Sequence, residues 1–120
     1  MISSRILLDG GKNLILQVQG DLQDQANPWA EVLDLDKGPK VPSRYVRIDG
    51  ISWLIQEKGT IFLWWDKDNL ILPMESRNKA DFYHALDCPK KDWSRKLYIS
   101  WTNCPTTKYF MFQINMDKQQ

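Results

Sequence analysis

Histidine and cysteine are scarce in this sequence of 120 residues, which contains one histidine, His84, and two cysteines, Cys88 and Cys104. A zinc site needs three or four such ligands at suitable spacings, and an HExxH pair is absent. The sequence therefore predicts no metal site and no cofactor. No motif combines a nucleophile with its base, so we expect no catalytic residues and a protein that is not an enzyme.

One weak catalytic alternative surrounds the single histidine. His84 has Asp81 and Asp87 within three residues, and Cys88 follows closely. A base, its orienting carboxylate and a nucleophile can be imagined from these side chains. A histidine among solvated charges on a surface loop is the favoured interpretation, so a small hydrolase ranks last.

An excess of either charge is also missing. Lysine and arginine number 16 against 15 aspartates and glutamates, which gives a net charge of +1. The pI is near 7.7, whereas nucleic-acid binders usually have a basic stripe and a high pI, so no specific nucleic-acid partner is expected. No apolar run approaches the roughly 18 residues of a membrane span, so no membrane partner is expected. The start, MISSRILLDGG, lacks the features of a signal peptide, which predicts synthesis in the cytoplasm and reduced thiols.

Tryptophan, in contrast, is abundant, with 6 residues beside 4 tyrosines and 4 phenylalanines. Large rings are costly to leave exposed, and Trp and Tyr are enriched at the energetic centres of protein interfaces. The aromatic residues therefore indicate a well-filled core or a contact surface. Trp64 and Trp65 are neighbours and must point to opposite faces of a strand, so only one of them can belong to the core.

Alternation of apolar and polar residues predicts strands along most of the chain. The clearest case is NLILQVQGDL at positions 13–22, and similar segments recur at spacings of about 8–12 residues without a helical period. We expect one all-β domain over residues 1–120, an antiparallel β-sandwich of jelly-roll type with seven or eight strands. A long polar connection over 75–96 is expected to hold at most one short helix, at Asp81–Leu86.

Five segments of the chain carry a family resemblance when they are taken in order. They are SRILLDGGKNLILQVQG, with Arg5, Asp9, Gly10, Asn13 and Gly20 in a fixed frame; RIDGISWLIQ at Arg47–Gln56; LWWD at Leu63–Asp66, followed by Leu70–Leu72; the Asp81–Phe82 step; and the closing YFMFQINMDK. The series resembles a family of small tailed-bacteriophage virion structural proteins and spans nearly the whole chain. The sequence departs from that family where HALDCPKKDW replaces a glycine-rich stretch, and in the early loop with Trp29 and several prolines.

The resemblance implies a protein of the virion capsid, above all a capsid cement or decoration protein that bridges neighbouring major capsid subunits. Its partners would be the major capsid protein and itself, as a homodimer or alternatively a trimer. Aromatic residues outside the core, with cations beside them, are the expected contacts: Trp29, Trp65, Trp93, Arg44, Lys90 and Lys91. A neck or tail component and a carbohydrate-binding β-sandwich module are the alternatives. The module would present coplanar rings for stacking on sugars.

Overall fold

The computed structural model describes residues 2–22, 28–41, 43–55, 60–75, 77–89, 93–102 and 108–119, with the side chains at 77–85, 102 and 108 excepted. These residues form nine β-strands and contain no helix. The strands are β1 (Ile2–Asp9), β2 (Asn13–Leu22), β3 (Trp29–Asp34), β4 (Tyr45–Ile55), β5 (Thr60–Trp65), β6 (Asn69–Glu75), β7 (Arg77–Asp87), β8 (Lys96–Thr102) and β9 (Lys108–Gln119).

The strands form two antiparallel sheets. The five-stranded sheet has the order β1-β2-β9-β4-β7, and the four-stranded sheet has the order β3-β8-β5-β6. The pairs β2 with β9, β3 with β8, β4 with β7 and β5 with β6 are all antiparallel neighbours, so the chain resembles one long hairpin rolled into two sheets. This is a jelly roll, to which β1 adds an edge strand. The predicted all-β sandwich of jelly-roll type is confirmed.

The core lies between the two sheets and follows the alternation along each strand. From β2 and β9, the inward side chains with at most 1% exposure are Leu14, Leu16, Val18, Leu22, Phe110, Phe112, Ile114 and Met116. The four-stranded sheet contributes Ile61, Leu63, Leu97 and Ile99, each with 0% exposure, as well as Trp65 and Trp101. Burial of apolar surface contributes about 25 cal/mol per Å², which makes this layer the main source of stability.

The predicted long polar connection contains a further strand instead. The short helix expected at Asp81–Leu86 is wrong, because the segment belongs to β7, and its two end residues, Asp81 and Leu86, pair with β4. This strand explains why the structure has nine strands and not seven or eight. The exposed hydrogen-bonding edge of β4 overrides the local sequence preference, since strand formation depends on the neighbouring strand more than on the segment itself. Between the pairs Ile48 with Leu86 and Gly50 with Asp81, β4 advances by two residues and β7 by five, so the pairing is irregular there.

A buried ion pair fixes the connection between β3 and β4 to the five-stranded sheet. The Lys118 side chain on β9 is 0% exposed and pairs with Asp9 at the end of β1. Its Nζ also donates to the carbonyl oxygen of Val41 at 2.8 Å, and the Asp9 carboxylate accepts the Lys40 backbone N–H at 2.6 Å. The hydrogen bond from Lys118 is the main cause that holds the pKa of Asp9 below its usual value.

Arg95 holds the same connection from the side of β8. Its Nε donates to Asp36 Oδ1 at 2.7 Å, and its two terminal nitrogens donate to the carbonyl oxygens of Arg44 and Ser43, each at 2.8 Å. Arg95 has φ of 62°, a left-handed conformation that costs a non-glycine residue about 1 kcal/mol or more. Three directed hydrogen bonds offset that cost.

Candidate interaction surface

Four aromatic rings and one lysine lie together on the outside of the four-stranded sheet. We call this set the aromatic face: Trp29, Phe62, Trp64, Lys67 and Tyr98. Its position follows from alternation, because the intervening residues of β5 and β8 point into the core. The four rings are half-buried.

The strand register brings the rings together around one small residue. Ser100 on the central strand β8 is opposite both Trp29 on β3 and Phe62 on β5, while Trp64 is opposite Tyr98. Because serine leaves space, the rings of Trp29 and Trp64 meet across it with centroids 5.3 Å apart and planes tilted by 44°. The indole Nε1 of Trp64 donates to Ser100 Oγ at 2.9 Å.

Lys67 extends from the turn between β5 and β6 over this surface. Its Nζ lies 5.7 Å from the ring centroid of Trp29 and 5.2 Å from that of Tyr98. Both distances fall within the roughly 6 Å range of cation–π attraction. The cation therefore caps the part of the face between β3 and β8 with positive charge.

Asp66 anchors the turn that carries Lys67. It has φ of 56°, and its backbone N–H donates to the Lys96 carbonyl oxygen at 2.9 Å. Its carboxylate accepts the Ser94 hydroxyl at 2.9 Å and the Ser94 backbone N–H at 3.2 Å. These bonds tie the β5–β6 turn to the segment that precedes β8 and fix the position from which Lys67 extends.

The aromatic face continues onto the edge strand β6 as an apolar surface. Phe62 is opposite the exposed Pro73, and Trp64 is opposite Leu70, which is 49% exposed. Contiguous apolar surface of this kind marks interaction sites more often than single exposed apolar residues do. The aromatic face and the adjoining apolar residues of β6 together span the four-stranded sheet from β3 to β6.

The tryptophans proposed from the sequence occupy different environments. Trp29 belongs to the aromatic face, and its role as a contact residue stays a prediction. Trp65 is only 5% exposed and its ring meets Trp93 edge-on, with centroids 5.6 Å apart and an interplanar angle of 87°. Trp93 is half-buried and packs against the core. Of the two neighbouring tryptophans, Trp64 therefore points outward from the sheet and Trp65 points into the core, which is the reverse of the sequence-based expectation.

Of the cations proposed from the sequence, the structure describes only Arg44, which lies beside Tyr45 and not beside Trp29. Arg44 is exposed, and its guanidinium carbon lies 5.3 Å from the ring centroid of Tyr45 at the start of β4. Lys90 and Lys91 lie outside the described residues. The cation on the aromatic face is Lys67, which sequence reasoning missed together with Phe62 and Tyr98. Alternation predicts that Phe62 and Tyr98 point outward once Leu63 and Ile99 are assigned to the core, whereas no pattern places Lys67 over the rings.

The structure describes the side chains of only some of the residues considered for catalysis or metal binding. Among the described residues, no group of three or more histidine, cysteine, aspartate or glutamate side chains could hold a metal ion. His84 is in β7, but its side chain is outside the described part. Cys88 is a free, buried thiol whose pKa is raised by burial, and its Sγ accepts the Val46 backbone N–H at 3.4 Å. Cys104 is outside the described residues.

No membrane-spanning helix occurs in the part of the chain that the structure describes. The fold and the surface together define a class, a jelly-roll domain with a cluster of aromatic rings on the outer side of its smaller sheet. No family model and no curated protein matches the chain. A crystal structure of a "putative mannose-6-phosphate isomerase" from Ralstonia eutropha JMP134 is similar over 100% of this chain and 86% of that one, at 12% identity and a TM-score of 0.38. A likeness at that level assigns no function.

Proposed function

We propose that this protein is a non-enzymatic structural protein of a phage virion, a capsid cement or decoration protein that binds and stabilises the assembled major capsid shell. The aromatic face is the observation that carries the proposal. The ordered segments that resemble tailed-phage virion proteins supply the identity of the partner. Neither observation involves a chemical reaction. The aromatic face is suited to being buried against a neighbouring subunit.

The chemistry of the aromatic face suits burial in an interface. Trp and Tyr provide large contact areas and are the residue types most enriched among those that dominate binding energy. The indole N–H of Trp64 is already bonded to Ser100, so a partner can cover the ring without leaving that donor unpaired. Lys67 would meet an acidic group at the margin of the interface, where charges favour association and specificity.

Stabilisation of a shell by such a protein follows from mass action. A protein that binds the assembled shell but not its separated subunits lowers the free energy of the assembled state as its concentration rises above the dissociation constant. The same proposal places the protein in the virion capsid and makes it a homodimer, with a trimer as the alternative. Light scattering coupled to size exclusion measures this oligomeric state directly.

Cosedimentation with capsids from which the protein has been stripped tests the proposal. Tyr98→Ala removes a ring from the aromatic face, whereas Tyr109→Ala removes the same ring from the outer side of the five-stranded sheet, where Tyr109 is 41% exposed. We expect Tyr98→Ala to lower capsid affinity at least tenfold, equal to about 1.4 kcal/mol, and Tyr109→Ala to leave it unchanged. The wild-type protein should bind at fixed stoichiometry and raise the temperature at which the capsids disrupt.

Other outcomes of the same measurements point to the alternatives. Large rings in solution that ignore capsids indicate a neck or tail component. Quenching of tryptophan fluorescence by oligosaccharides indicates a carbohydrate-binding module. The geometry counts against the module, because the 44° tilt between Trp29 and Trp64 departs from a coplanar platform and Lys67 covers part of the rings.

A further inference from the structure

The free edges of the two sheets meet at a cleft on one side of the sandwich. β1 is the last strand of the five-stranded sheet, and β3 is the last strand of the four-stranded sheet. Between them lies a cleft of about 590 Å³, lined by the middle of β1, by β3 and by the turn that follows β3. This cleft is separate from the aromatic face.

The floor of the cleft is apolar. Ile6 from β1, Leu16 from β2 and Leu33 from β3 contribute to it. Gly38 closes one end, since a Cβ there would lie 3.3 Å from Leu33 Cδ1 and 3.5 Å from Ile6 Cδ1. The same Cβ would lie 3.1 Å from the Asp34 carbonyl oxygen, so a side chain at position 38 would require its neighbours to shift by a few tenths of an ångström.

The wall formed by β1 has an unpaired backbone edge. Alternate residues of an edge strand direct their N–H and C=O groups away from the neighbouring strand. Within the described residues, the backbone of Ile2–Asp9 bonds only to β2. Such an edge is a template for an additional strand.

The charges along the cleft are unbalanced towards positive. Lys96 lies 3.3 Å from Glu31, which neutralises that pair, so Asp34, whose Oδ1 accepts the Asp36 backbone N–H at 2.9 Å, is the one described lining carboxylate left to set against two further cations. Arg5 donates its Nε to the neutral amide oxygen of Gln17 at 3.1 Å, and Lys37 is exposed. Among the described residues neither Arg5 nor Lys37 has a carboxylate partner.

We infer that the cleft between β1 and β3 binds an extended peptide segment of another protein, with alternating apolar and acidic side chains, as an additional strand on β1. Side chains alternate between the two faces of a strand. The apolar set would contact the floor at Ile6 and Leu33, and the acidic set would face Arg5 on the outer side of the sheet and Lys37 at the rim. This inference does not depend on the capsid assignment.

Fluorescence polarisation with two labelled peptides tests the inference. The probe VDVTVDV carries the expected pattern, and VKVTVKV has the same apolar residues with the charges reversed. The acidic probe should bind about tenfold more tightly, because its interactions with Arg5 across the strand pair and with Lys37 at the rim change from attractive to repulsive when the charges are reversed. Absence of a polarisation change with the acidic probe up to about 1 mM protein overturns the inference.

Two serines on β1 provide a matched pair of variants. Ser4 lines the cleft, whereas Ser3 is opposite Gln19 on the outer side of the sheet, and both are exposed. Ser4→Trp should fill the cleft and weaken binding at least tenfold, and Ser3→Trp should change it less than about twofold. Equal binding by the two variants contradicts the inference. Thermal unfolding of both variants checks that they fold.

Arg5→Glu supplies a test that leaves the cleft open. This variant should invert the preference and bind VKVTVKV more tightly than VDVTVDV, and an unchanged preference contradicts the inference. A second copy of this chain is the competing occupant. If Ser4→Trp converts an oligomer to monomers in light scattering and the acidic probe dissociates the wild-type oligomer, the cleft belongs to self-association and the inference fails.

Discussion

The carboxyl groups of Asp9 and Asp49 have pKa values shifted in opposite directions. The hydrogen bond from Lys118 lowers the pKa of Asp9, whereas partial burial, followed by repulsion from Asp117, raises the pKa of Asp49. One carboxylate is therefore stabilised by the fold and the other is destabilised by it. Their contributions to stability have opposite signs and opposite dependences on pH.

Asp9→Asn should destabilise the protein at neutral pH. The pKa of Asp9 is lower in the folded state, so its contribution is present above the unfolded value near 3.9 and is lost as pH falls through the folded pKa. The variant leaves the buried Lys118 ammonium without its counter-ion, which costs about 3 kcal/mol. Denaturant unfolding at pH 7 should show that loss, and the difference from wild type should shrink below about pH 4.

The double variant Asp9→Asn, Lys118→Met is the control for this ion pair. Replacing both partners of a buried pair by uncharged groups is close to neutral, so much of the lost stability should return. If the double variant is less stable than Asp9→Asn, the ion pair does not explain the effect.

Asp49→Asn should stabilise the protein slightly at neutral pH. Because the pKa of Asp49 is raised on folding, the native state holds the proton more tightly and loses stability as pH rises from about 3.9 through the folded pKa. Asparagine carries no charge, so the variant does not lose stability at this position as the pH rises. Because the burial of Asp49 is slight and the residue stays largely exposed to solvent, the gain should stay below about 1 kcal/mol at pH 7 and vanish in acid. Asp21→Asn, an exposed substitution on β2, controls for net charge, and an equal gain there would refute the assignment.

Among the turns, the one between β5 and β6 depends on a single residue. Asp66 combines a left-handed backbone with bonds to Ser94, and it sets the position of Lys67 over the aromatic face. Aspartate and asparagine tolerate this conformation better than alanine does. Polar residues at 66–69 are typical of a hairpin turn, but no sequence pattern shows that the Asp66 side chain binds a segment 28 residues away.

Substitutions at Asp66 should separate the backbone from the side-chain contribution. Asp66→Ala loses both and should cost about 2 kcal/mol, whereas Asp66→Gly relieves the backbone and loses only the Ser94 bonds. Asp66→Asn keeps an acceptor and should cost least. Thermal unfolding should therefore rank the variants Asn, Gly, Ala in decreasing stability, and an alanine variant as stable as the asparagine one contradicts this order.

Strands were predictable from the sequence where one face is buried and the residues alternate. They were less predictable where the neighbouring strand determines which residues point inward or whether a strand forms at all. Alternation required Trp64 and Trp65 to point to opposite faces of β5. Which of them points into the core depends on β8, where Trp65 lies opposite Leu97 and Trp64 lies opposite Tyr98. β7 was missed because ADFYHAL has no clean alternation. Its strand conformation comes from β4, a neighbour about 30 residues earlier in the chain.

At the scale of the molecule, the rolled hairpin makes the two ends of the chain unequal. β9 lies between β2 and β4 in the five-stranded sheet, whereas β1 is bonded only to β2 and is largely exposed. The alternation of Phe110, Phe112, Ile114 and Met116 indicates a strand, but no local pattern reveals that this last strand occupies the middle of a sheet. That position arises from pairing across nearly the whole chain, which is also the slowest kind of contact to form.

Truncations from either end should therefore have different effects. A chain without residues 109–120 loses Phe110, Phe112, Ile114 and Met116 from the core and leaves β2 and β4 without the strand that joins them, so it should not unfold cooperatively. A chain without residues 1–8 keeps Asp9 for Lys118 and the other eight strands, so circular dichroism should show a cooperative transition at a lower temperature. That shorter chain also lacks one wall of the cleft and should not bind VDVTVDV. A cooperative transition in the chain truncated at its C-terminal end would show that β9 is not the central strand.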